Sequence, residues 1–182
     1  QSCGGTAEYY HIIAPSTTGG FSSKEPSQAA LDSQDAGWKD SMNDNIVMIV
    51  TIARSASENG SYNPGTAGVD PTQNLNQTDP LGLSDDERDL INAAVTAKAA
   101  NGGKVIVLLN NASAMEVQEI EDNVGVDAIL QVGLPGGYGF YGVADILSGA
   151  VSPSGHLPDT YAVKHANSPA AQRFGDLQWT NP

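Results

Sequence analysis

Residues 104–110, KVIVLLN, form a short, continuous apolar run bounded by Gly102-Gly103 on one side and Asn110-Asn111 on the other. Such a run has no polar face to offer water, which marks a strand buried on both sides within a parallel sheet. Two further runs of the same kind are IVMIVTIA (46–53) and VDAILQVG (126–133). Between the first two lies a segment that opens S-D-D-E at Ser84. Ser84 is its N-cap, with Glu87 reaching back, and the apolar positions Leu90, Ile91, Ala94 and Val95 lead to a stop at Gly102-Gly103. A second S-x-x-E, Ser113 to Glu116, predicts another helix carrying Met115, Val117 and Ile120. Further on, Phe140, Val143, Ala144 and Leu147 recur at i, i+3, i+4 and i+7 before Gly149. This alternation of strand and helix from 46 to 149 predicts an α/β domain with a mainly parallel sheet and right-handed crossovers.

The flanks are less periodic. HLPDTYAV (156–163) predicts an edge strand, where Pro158 is tolerated. YYHIIAP (9–15) reads as a strand, and 26–44 as weakly helical. Between Arg54 and Ser84 runs a long segment rich in Ser, Asn, Gly, Pro, Thr and Asp; a connection of that length inside a compact domain is usually functional or disordered.

The 182 residues suffice for one domain, read as spanning 1–182, and no shift in composition marks a second. Eight basic against 21 acidic residues give a formal net charge of -13, which argues against nucleic acid, since a phosphate backbone is bound by clustered Lys and Arg. The single cysteine, Cys3, permits neither an internal disulfide nor a Cys-based metal site. No apolar stretch is long enough to span a membrane and no signal-peptide pattern opens the chain. The expectation is a soluble protein, with the cytoplasm the favoured compartment. The sequons at Asn59, Asn76 and Asn111 are assigned no role.

Candidate chemistry is sparse. From Gly137 the string G-Y-G-F-Y-G is a literal G-x-G-x-x-G, but a dinucleotide fingerprint needs the first βα unit of its fold and later strands to complete the site. Only about forty residues follow, and Asp159, near the acidic position, follows a proline turn instead of a buried strand. The glycines are therefore read as a tight turn with close helix packing, and no cofactor is expected. His11, His156 and His165 show no ligand spacing, so no metal is expected either. G-x-S-x-G is absent. Glu58 differs in kind, because it lies just beyond the carboxyl end of the strand read at 46–53, where ligand sites of open α/β sheets gather.

Taken together, IARSASENGSYNP, GLSDDERDLINAA, KVIVLLNNASAMEV, VDAILQVGLPGGYGFYGVADILSGAVSPSGHLPDTYAV and NSPAAQRFGD resemble the C-terminal-type domain of family 3 glycoside hydrolases, the β-glucosidase group. The resemblance covers about Ile46 to Asp176 and implies a three-layer α/β/α sandwich with a mainly parallel sheet. It also implies that the glycine-rich loop is a strand-to-helix turn holding no phosphate.

In chemical terms the resemblance implies a retaining mechanism that divides two carboxylates between two domains. The Asp nucleophile belongs to a TIM barrel, nothing of which is found in this chain, and the general acid/base Glu belongs to a loop of the sandwich. That loop typically reads Arg, two or three small residues, then E-G-x-D; Arg54 and Glu58 match, with Asn59 in place of Gly and Ser61 where an Asp is frequent. Glu58 is thus the expected acid/base and Arg54 an expected substrate contact. The implied partners are a β-glycoside or oligosaccharide substrate and the barrel domain of the parent chain. SPSGHLPDTYAV and PAAQRFGDLQW are similar to a group in which the sandwich precedes the barrel. The rival reading is a non-catalytic carbohydrate-binding or interaction module with a flavodoxin-like sheet, which accounts for the alternation and acidity but not for the sequence blocks.

Overall fold

The computed structural model describes residues 13–15, 21–23, 27–44, 46–54, 79 and 81–169. The elements are β1 (Ile13–Pro15), β2 (Phe21–Ser23), α1 (Gln28–Gln34), α2 (Trp38–Asp44), β3 (Val47–Ala53), α3 (Asp85–Asn101), β4 (Lys104–Asn110), α4 (Gln118–Glu121), β5 (Ala128–Gln131) and α5 (Gly136–Leu147), then a 3-10 turn at His165–Asn167. β1 and β2 form an antiparallel pair of their own; β3, β4 and β5 form a parallel sheet in that order. A small parallel sheet with helices against it is the expected α/β sandwich class.

The three apolar runs become the three strands. Register sets Met48 beside Val105, Val50 beside Val107 and Ile52 beside Leu109, with Ile129 beside Val107 on β5. Because side chains alternate along a strand, these residues share one face. That face meets Ile91, Ala94, Val95 and Ala97 of α3, together with Leu81, Leu83, Met115 and Ile120. Ile52, Val107 and Leu109 are almost fully shielded from water, each burial contributing about 1.5–3 kcal/mol. The core therefore sits between the sheet and α3, with α2 resting on α3 and Asn101 Nδ2 donating to Met42 O at 3.0 Å.

The opposite face is covered unevenly. Toward β5, Leu130 shares an open depression with Pro135, Val143 and Ile146 of the α5 region, and Leu108 is buried. At β3, Val47 and Ile49 are each 46% exposed, so the second layer does not reach that strand among the described residues.

α3 starts and stops where local chemistry dictates. Ser84 Oγ accepts from the Glu87 amide at 3.2 Å and Glu87 Oε2 accepts from the Ser84 amide at 2.8 Å, closing the capping box. Gly102 ends it at φ 74°, a left-handed turn that costs a residue with a Cβ but not glycine.

Three sequence expectations are corrected. Ser113–Glu116 does not begin a helix: α4 is a single turn at Gln118–Glu121 with Val117 before it. The Glu116 amide donates to Leu81 O at 2.9 Å, so a tertiary bond has taken the group that an N-cap serine would have satisfied. HLPDTYAV forms no strand; it runs irregularly and largely exposed, since alternating apolar residues make a strand only where a neighbouring edge offers a ladder. The glycine string is not the turn but part of the helix, with 137–142 inside α5 and the turn at 132–135 before it. Gly139 is needed there because a Cβ on it would lie 2.8 Å from Pro135 Cβ. The expected strand at 9–15 is seen at Ile13–Pro15; its first residues lie outside the described ones.

Candidate functional site

Parallel strands bring their carboxyl ends to one edge, and in this sheet those ends are Arg54 after β3, Asn111 after β4 and Gln131 closing β5. The edge is polar and mostly shielded from water. Arg54 and Asn111 are buried, as are Asp79, Ser84 and Glu87 from the turn that leads into α3.

Arg54 is the hub of this edge. Its guanidinium grips Glu87 with both arms: Nη1 donates to Oε1, and Nη2 to Oε2 at 2.9 Å. The two side chains are 4% and 2% exposed. The same fork donates to Ala53 O and to Gly82 O, each at 2.7 Å, while the Arg54 amide donates to Asn110 O at 3.3 Å. A planar fork with five donors suits this task, because it holds a carboxylate bidentately and still reaches carbonyls on either side. Arg54, expected as a substrate contact, is thus occupied by protein partners on the side chain that sugar would have to meet.

Beside it, Asn111 Nδ2 lies 3.0 Å from Met115 Sδ, and Gln131 Nε2 donates to Asn111 O at 2.7 Å. Gln131 Oε1 is a buried oxygen with no hydrogen-bond partner among the described residues.

A second cluster joins the start of α3's approach to the chain's later segment. Asp79 Oδ1 lies 2.9 Å from His165 Nδ1; an ionised carboxylate has no proton to give, so Nδ1 carries the hydrogen and donates. Asp79 Oδ1 also accepts from the Leu81 amide at 3.0 Å. Glu116 accepts from the His165 amide at 2.6 Å and pairs with Lys164 at 3.0 Å. His165, without ligand spacing in the sequence, is a tether for 161–169. Among the described residues no group of three or more His, Cys, Asp or Glu is arranged to hold a metal ion.

At the other end of the sheet, Asp127 receives Lys98 of α3, the Val105 amide and Lys104. These donors, Lys98 foremost, hold its carboxyl well below the ordinary carboxylate range.

Glu58, the expected acid/base, lies outside the described residues, as do Asn59, Ser61 and the sequon at Asn76. It follows Arg54 by four positions, so its connection leaves the sheet from this edge. Sequence reasoning found Ser84 and Glu87 as a helix cap but missed Glu87 as the partner of Arg54. It also missed the Asp79, Glu116 and His165 cluster, since residues 86 apart leave no local pattern.

The chain matches the family model described as "Glycosyl hydrolase family 3 C-terminal domain" over residues 6–179. It is 31% identical over 141 residues to a "Probable beta-glucosidase F" of Emericella nidulans, covering 75% of this chain and 15% of that protein. It is 36% identical over 94 residues to a "Beta-glucosidase" of Schizophyllum commune, covering 49% of each. Among solved structures, β-glucosidase 3B from Thermotoga neapolitana in complex with glucose aligns with a TM-score of 0.62 at 33% identity, over 79% of this chain and 18% of that one. The chain thus spans half or less of the relatives it matches, and less than a fifth of two of them. A match over nearly the whole chain, on a parallel sheet of the expected class, places this chain in glycoside hydrolase family 3, as its C-terminal domain.

Proposed function

We propose that this domain supplies the general acid/base of a retaining β-glycosidase, through Glu58, to an active site whose Asp nucleophile stands on a TIM-barrel domain outside this chain. The observation that carries the reading is the R-x-x-x-E pattern of Arg54 and Glu58 at the carboxyl end of β3, in a chain of this family. In such a mechanism the two carboxyl groups stand about 5 Å apart; one attacks the anomeric carbon while the other protonates the departing oxygen and later deprotonates water. A general acid working near neutral pH needs a raised pKa, which burial against the barrel and the nearby nucleophile carboxylate would provide. The substrate is a β-glucoside or related β-glycoside.

A domain holding one of two carboxylates should not turn over by itself. Release of aryl alcohol by the purified 182-residue chain, in proportion to its concentration and abolished by Glu58→Gln, would refute the division of labour. In the full-length enzyme, Glu58→Ala is expected to slow glycosides with poor leaving groups by about 10²–10⁴-fold. Activated aryl glycosides, whose leaving groups depart without a proton, should show a burst of released phenol followed by a slow steady rate. Equal losses for both classes would remove Glu58 from the acid/base role.

A further inference from the structure

We infer that His165 is a substrate contact of this domain, its Nε2 accepting a hydrogen bond from a hydroxyl of the glycoside. The inference rests on the reading above, which brings a β-glycoside to the carboxyl edge of the sheet.

The place of His165 follows from its ties. In the approach to α3, Asp79 O accepts from the Gly82 amide at 3.0 Å, and Gly82 O receives Arg54 from the end of β3. Glu116, past the end of β4, donates its amide to Leu81 O in the same turn. His165 is pinned against both segments, by Nδ1 to Asp79 Oδ1 at 2.9 Å and by its own amide to Glu116 Oε1 at 2.6 Å. The imidazole therefore stands at the edge where ligands of parallel α/β sheets gather.

The same ties set its chemistry. With the hydrogen on Nδ1 facing an ionised Asp79, the neutral ring carries its lone pair on Nε2, which is then an acceptor. Carboxylate support of this kind fixes the ring's orientation and raises the basicity of the other nitrogen. Nε2 has no hydrogen-bond partner among the described residues, and it is not sealed from water, since the buried side-chain atom left without a partner there is Gln131 Oε1. The side chain as a whole is only 12% exposed, so the open nitrogen is held in place.

A tether needs Nδ1 and the backbone amide; Nε2 is the part of His165 that tethering does not use. Its neighbours at the edge are engaged with protein. Arg54 holds Glu87 and two carbonyls, and Glu116 takes Lys164 and the His165 amide. A neutral polyhydroxyl ligand suits the site, because the carboxylates of Asp79 and Glu116 disfavour an anion beside them.

The test uses the full-length enzyme. In His165→Asn the side-chain amide can replace Nδ1–H as the donor to Asp79, while nothing stands where Nε2 was. This variant is expected to keep the wild-type Tm and to lose about 3- to 10-fold in kcat/KM for an aryl β-glucoside, the effect of one neutral hydrogen bond. Monodeoxy aryl glucosides identify the partner: wild type and His165→Asn should hydrolyse the analogue lacking the contacted hydroxyl equally well, and the others should keep the full loss. An unchanged kcat/KM in the folded variant, or a loss equal for every deoxy analogue, would overturn the inference. A measurement on the wild type needs no variant to fold. Carbethoxylation of His165 by diethyl pyrocarbonate, read by peptide mass spectrometry, should slow under saturating glucose, and an unchanged rate would overturn the inference as well. A Glu58→Ala enzyme without leaving-group discrimination would instead overturn the acid/base reading, so the two failures are distinguishable.

Discussion

Ser84 to Glu87 and Ser113 to Glu116 carry the same S-x-x-E signature at the head of an apolar-periodic stretch, and only the first becomes a capping box. The difference lies in what else wants the same groups. At Ser84 the Glu87 amide goes to Ser84 Oγ, and the Glu87 carboxylate accepts from both the Ser84 amide and Arg54. At Ser113 the following residues are committed elsewhere. Met115 is fully buried, the Glu116 amide bonds Leu81 O, and the Glu116 carboxylate is taken by the His165 amide and Lys164. A local motif is decisive only where tertiary bonds do not outbid it.

The largest loss is expected from Glu87→Ala, which removes the cap's acceptor and leaves the buried Arg54 guanidinium without its carboxylate. The expected loss is about 3–5 kcal/mol, read by urea unfolding; a loss below about 1 kcal/mol would show that Arg54 finds water or another acceptor at little cost. Ser84→Ala removes only the cap and is expected to cost about 1 kcal/mol.

The other end of α3 sharpens the contrast between a buried tie and an accessible one. Lys98 reaches Asp127 at the base of β5, with both side chains about one-fifth exposed. Because the folded Asp127 pKa is depressed, its contribution is present above the unfolded value of about 3.9 and is lost as pH falls below it toward the folded value. Asp127→Asn should therefore lower Tm at pH 7, and the gap from wild type should narrow steadily below about pH 4. A gap independent of pH from 2 to 7 would mean that the carboxylate's charge is not what matters. The smallest effect belongs to Ser113→Ala, expected within about 0.5 kcal/mol of wild type because no cap depends on it. A loss near that of Ser84→Ala would mean that Ser113 caps after all.

What was legible in the sequence follows the same division. β4 and the two ends of α3 fall where apolar continuity, the cap and Gly102 put them, since each is decided by residues within a few positions. The family resemblance, carried by ordered blocks, was legible too, and with it the α/β class and the parallel sheet, but not the order of the strands within it. The ties of the strand edge were not. Arg54 to Glu87 spans 33 residues and His165 to Asp79 spans 86, and neither spacing has a periodic consequence in the chain. HLPDTYAV misled for a related reason: its alternation states which side chains are apolar but not whether a strand edge is open beside it. Of the candidate site, the root at Arg54 is described and its buried partners are known, while Glu58 itself is known from its position in the sequence.

Whether this domain contributes the acid/base is decided by azide rescue of Glu58→Ala in the full-length enzyme with an activated aryl β-glycoside. Azide needs no general base to attack the glycosyl-enzyme. Faster steady-state turnover with added azide and a glycosyl azide product of retained anomeric configuration are expected. A variant that azide does not accelerate, or one that yields the inverted azide, would contradict that contribution.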